Sequence, residues 1–180
     1  MINAFLKDID KHIIAESTNL GGTKYAKHIV NVKASEDIDN GKLVNLTDAK
    51  YEKNEYFTMV EPTAACRVGL ILSVAIGADE QPRKATLESN FYNGKGEIMR
   101  VYDLMDFDRF TVSANGITAL AEAPVVGNYV VADGYDIKEV AKDSAPASFA
   151  TNGFVGEIIE KVVRTGGVFY KILVRQNKEV

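Results

Sequence analysis

Apolar residues recur at two different periods along this chain. Near the start, Ile2, Phe5, Leu6, Ile9 and Ile13 fall three or four apart, which puts them on one face of a helix. Lys7, Asp8, Lys11 and His12 occupy the other face. Ser17-Thr18-Asn19 and then Gly21-Gly22 end the segment, glycine being suited to the left-handed position after a helix. Residues 1–22 thus form an amphipathic helix or arm, with two placements open: packed on its own domain, or laid on a neighbouring subunit.

From residue 23 to 180 the period shortens to two. Residues 25–32 alternate, with Tyr25, Lys27, Ile29 and Asn31 against Ala26, His28, Val30 and Val32. Further strands are expected over 42–46, 56–60 (stopped by Pro62), 97–105, 109–113, 125–132 and 137–140. Residues 66–75 are almost continuously apolar, a pattern shared by a strand buried on both faces and a buried helix; Gly69 favours the strand. Residues 119–123 are an Ala-rich link before Pro124, and 142–151 read as loop. The clearest hairpin is 154–163 returning as 168–174, with Ile158, Val162, Tyr170, Ile172 and Val174 meeting across it.

Between these runs stand Asn40-Gly41, Asn93-Gly94, Asn115-Gly116, Asp133-Gly134, Asn152-Gly153 and Gly166-Gly167. Such dipeptides supply the positive φ of two-residue hairpin turns. The pattern predicts a mainly β fold: an antiparallel β-barrel or β-tulip-like domain over 23–180, preceded by the arm.

Composition narrows the function. A net charge of −4 and no Lys/Arg run disfavour nucleic-acid binding. The longest apolar stretch, 68–76, is far short of a membrane span. Charges at Lys7, Asp8, Asp10, Lys11 and Glu16 interrupt any signal-peptide core, so a chain made and kept in a cytoplasm is expected. Cys66 is the only cysteine and reads as a small buried apolar residue.

Candidate chemistry is sparse. Asp103, Asp106 and Asp108 offer three carboxylates to a divalent cation, but no glycine turn lies between them, and a solvated face is the better reading. Residues 36–41 have the wrong spacing for a calcium loop. Neither Gly21-Gly22-Thr23-Lys24 nor Gly94-Lys95-Gly96-Glu97 is a phosphate loop. His12 and His28, one on a helix surface and one in a strand, have no third partner, and no nucleophile elbow exists. No catalytic residue, metal or cofactor is expected. Phe91-Tyr92, Tyr51 and Tyr56 put aromatic rings near turns, as interfaces favour and as β-core ends also do.

The segments 40–46 (Asn-Gly-Lys-Leu-Val-Asn-Leu), 126–134 (Val-Gly-Asn-Tyr-Val-Val-Ala-Asp-Gly) and 154–159 (Phe-Val-Gly-Glu-Ile-Ile) resemble those of tailed-phage head decoration, or capsid cement, proteins. The likeness extends in style over residues 25–175. It implies a compact β-barrel or β-tulip domain on the outside of a capsid shell, often at local three-fold positions. The expected function is therefore a non-enzymatic virion structural protein of a bacteriophage. It would be made in the host bacterial cytoplasm, bind the major capsid protein and act as a dimer or trimer. Ile2, Phe5, Leu6 and Ile9 are the expected capsid contacts. Two rivals are a tail-tube or head–tail joining subunit, and a small-molecule-binding or hydrolytic β-barrel enzyme.

Overall fold

A computed structural model describes residues 12–21, 28–53, 55–74, 90–164 and 167–180. The first strands are β1 (Ala15–Asn19), β2 (Ile29–Lys33), β3 (Leu43–Asn45), β4 (Tyr51–Glu52), β5 (Tyr56–Thr58), β6 (Val68–Ile71) and β7 (Ile98–Asp103). Then come β8 (Arg109–Ser113), β9 (Ile117–Thr118), β10 (Tyr129–Asp133), β11 (Asp136–Val140), β12 (Phe154–Arg164) and β13 (Gly167–Asn177). The fold is mainly β, as the alternation predicted.

Among the described residues these strands make two sheets. The seven-stranded sheet runs β1-β8-β13-β12-β10-β11-β9, and the six-stranded sheet runs β3-β6-β7-β2-β5-β4. Pairing is antiparallel except at β11–β9 and β2–β5. The β12–β13 hairpin sits mid-sheet, with Ile158 opposite Ile172, Val162 opposite Phe169 and Arg164 opposite Gly167. Its apolar side chains face the second sheet. Phe110, Val130, Phe154, Ile158, Tyr170 and Ile172 there meet Leu43, Val68 and Leu70 in one buried cluster.

One of the two sheets is a curled half-barrel, and the smaller sheet bends at one edge. Beyond its β3 edge, Asn45 N donates to Val60 O at 2.9 Å, drawing that edge toward the chain that leaves β5. Alternation gives β3 and β6 two buried faces. Leu43, Val68 and Leu70 point to the first sheet, while Val44 and Ile71 join Val32, Ala34, Ile38, Met99 and Val101 in a second cluster. Residues 68–71 are buried on both faces, which resolves the strand-or-helix ambiguity of 66–75 in favour of strand.

Residues 1–11, where the helix is expected, lie outside the described residues. Other expectations fail, for local physical reasons. Residues 15–19, which include the Ser17-Thr18-Asn19 expected to end that helix, instead form edge strand β1 against β8, and Ile13 and Leu20 enter the main core. The folded body therefore begins before residue 23.

None of the Asn-Gly and Asp-Gly pairs supplies both residues of a two-residue hairpin loop; the nearest case is Gly134-Tyr135, between paired Asp133 and Asp136, with Gly134 at φ 59. The Asn40 side chain exchanges hydrogen bonds with the Ser73 backbone, and Asn93 Nδ2 donates to Ile38 O and Asn40 Oδ1. These amides tie loops together. Residues 142–151 hold a short 3-10 turn and a helix, α1 (Ala145–Thr151), in place of the expected loop. Phe149 packs edge-on to Tyr129 at 5.8 Å, and Gln176 Nε2 donates to the Phe149 and Asn152 carbonyls. Tertiary contacts outweigh the loop-forming composition there.

Candidate functional site

The expected contacts Ile2, Phe5, Leu6 and Ile9 lie outside the described residues. His12 Nδ1 meets Asp39 Oδ1 at 2.7 Å and its ring stacks on Tyr92 at 5.1 Å; His28 Nδ1 meets Asp103 Oδ2 at 3.4 Å. Neither histidine sits in a described helix or strand. Tyr92 and Tyr51 are exposed, as the sequence suggested, but Tyr56 is buried with Lys33 over its ring. Cys66 is buried, and burial pushes its thiol above the ordinary value against an opposing bond to Thr63 O.

The three aspartates do not share a solvated face. Asp108 is buried and accepts from Gly21 N at 2.7 Å and Met105 N at 2.9 Å. Asp106 accepts from Asn177 N, and Asp103 takes the Arg67 fork through Nε and Nη2. Each carboxylate serves a different hydrogen-bonding task. No group of three His, Cys, Asp or Glu side chains among the described residues is placed to hold a metal ion.

What those bonds clamp is a turn that presents an aromatic ring. Phe107 has φ 73, left-handed backbone that costs a bulky residue strain, and its side chain is 72% exposed. Its N–H donates to Val174 O at 2.8 Å, and Val174 N donates back to Asp108 O at 2.8 Å. The Asn177 amide holds Leu104 O and Val68 O. Met105 is exposed beside it. The backbone that carries an exposed apolar ring is thus held by hydrogen bonds on both sides.

Beside this turn lies an open groove of about 610 Å³. Leu46, Leu104 and Met105 line its apolar part, Arg67 and Lys178 bring positive charge to it, Asp106 and Glu179 bring negative charge, and His28 lies among them.

A second apolar display occupies residues 119–126, between β9 and β10. Leu120, Val125 and Val126 are about half exposed, and Glu122 is the only charge in the segment. The loop is anchored from below by Glu139 of β11, which is fully buried. Its carboxylate accepts from Leu120 N at 2.9 Å, Val125 N at 2.8 Å and Asn128 Nδ2 at 2.7 Å. Three donors satisfy a buried acid that would otherwise be costly.

Sequence reasoning missed both displays. The signal for Glu139 was present, because period two puts it on the same face as buried Ile137. Nothing marks Phe107, since no residue preference announces a phenylalanine at positive φ. Comparison with protein-family models, with curated proteins and with solved structures gave no match.

Proposed function

We propose that the protein is a non-enzymatic structural protein of a phage virion that coats the outside of the head shell and stabilises it by binding the major capsid protein. The observation that carries the binding part is the 119–126 loop. Three aliphatic side chains are held in water by a buried carboxylate, so the loop keeps its apolar face outward without having to order on binding. The capsid as partner is drawn from the resemblance of residues 40–46, 126–134 and 154–159. A ligand that binds only the assembled shell shifts assembly toward it, and contacts spanning neighbouring capsomers are enough to do so.

The test is co-sedimentation of the purified chain with shells assembled from the capsid protein of the same source. Replacing Leu120, Val125 and Val126 together by Ser should lower occupancy by about tenfold or more while far-ultraviolet dichroism stays unchanged. Undiminished occupancy refutes the role of the loop, and a wild-type chain that never binds shells refutes the reading itself. A second deletion tests Ile2, Phe5, Leu6 and Ile9. It should remove residues 1–11 only, because residues 12–21 are part of the folded body.

A further inference from the structure

The Phe107 turn adjoins the groove and complements it in chemistry. The groove begins at Leu104, Met105 and Asp106, and Phe107 is the next residue along the chain. Its apolar lining, Leu46 and Leu104, suits a ring edge. Arg67 is 44% exposed and held by Asp103 through two of its nitrogens, so its planar guanidinium is fixed in place. A fixed guanidinium and an aromatic face attract one another electrostatically. Lys178 stands on the rim with Asp106 and Glu179, so two such faces meeting about a two-fold axis can pair unlike charges. A surface carrying a knob beside its own matching hole is self-complementary, which is the requirement of a two-fold dimer.

We infer that two copies of this chain pair about a two-fold axis, the Phe107 ring of each seated in the other's groove against Arg67. Strain and exposure that are costs in the single chain become preorganisation in the pair, because the backbone that presents the ring is already held in place. The pairing is independent of shell binding, because the 119–126 loop takes no part in it.

Sedimentation equilibrium of the full chain, up to about 100 µM, reads the proposal directly. The wild type should reach twice the 19.7 kDa chain mass. Phe107→Gly keeps the turn's backbone comfortable while removing the ring, and should weaken the dimer by about thirtyfold or more. Phe107→Tyr should retain it. Arg67→Lys keeps the positive charge but loses the plane, and should weaken pairing while leaving the fold intact by dichroism. The triple Ser variant of the 119–126 loop should dimerise like the wild type, so failure of shell binding and failure of pairing are separable. A monomer at that concentration, a ring of three or more, or a dimer indifferent to both Phe107→Gly and Arg67→Lys overturns the inference.

Discussion

Phe107 and Glu139 both break a common rule, and each does so inside a dense hydrogen-bond frame. Left-handed backbone at a phenylalanine costs on the order of 1 kcal/mol, so Phe107→Gly should raise the monomer's unfolding free energy by about 0.5–1 kcal/mol in urea titration. An unchanged or lowered midpoint would show the turn to be relaxed. Glu139→Ala should act in the other direction, by roughly 3 kcal/mol, because it strands the Leu120 and Val125 amides and the Asn128 side chain beneath the loop. Hydrogen exchange at Leu120 and Val125 should accelerate with it. The pH response follows from Cys66 and Tyr135, whose values are both raised chiefly by burial, with Glu36 and Glu61 adding to Tyr135. The folded chain keeps both protons to higher pH than the unfolded chain does. Their contribution is complete below the ordinary thiol value of 9.0 and is lost as pH rises through the folded values. Urea midpoints should fall as pH rises above 9.0, and a profile that stays flat there would contradict the burial of the thiol.

At the level of elements, the alternation made most strands legible before the structure was known, including the doubly buried run at 68–71. The paired order was not legible. Strand neighbours such as β1–β8 and β2–β7 are distant in sequence, and residue pattern carries no address for a distant partner. The turn dipeptides misled because Asn40 and Asn93 satisfy backbone groups of other loops, a role set by tertiary placement. Gly69 shows what such placement demands. A Cβ there would sit 2.4 Å from Val101 Cγ1 and 2.9 Å from Leu46 Cδ1, on the face of the second core cluster. Gly69→Val should cost about 2–3 kcal/mol by overpacking, measured by thermal or urea unfolding. Equal stability would mean that this cluster can open by the width of a side chain.

For the molecule as a whole, two sheets share one core and the smaller sheet backs onto a second. That arrangement leaves apolar side chains at a few fixed places on the surface, and both candidate contacts are of this kind. The sequence pointed to the arm over residues 1–22, through Ile2, Phe5, Leu6 and Ile9, as the adhesive part because its helical period is plain, whereas exposure at residues 107 and 120–126 depends on how loops lie over a finished body. Chain order also bears on the start of the body. Ile13 is wedged between two glycines: its Cγ2 lies 2.8 Å from where a Cβ on Gly41 would stand and 2.7 Å from one on Gly116. Tension applied ahead of His12 would therefore meet a close-packed peg before it reached the β1–β8 seam, so the seven-stranded sheet is protected from being peeled open at its edge.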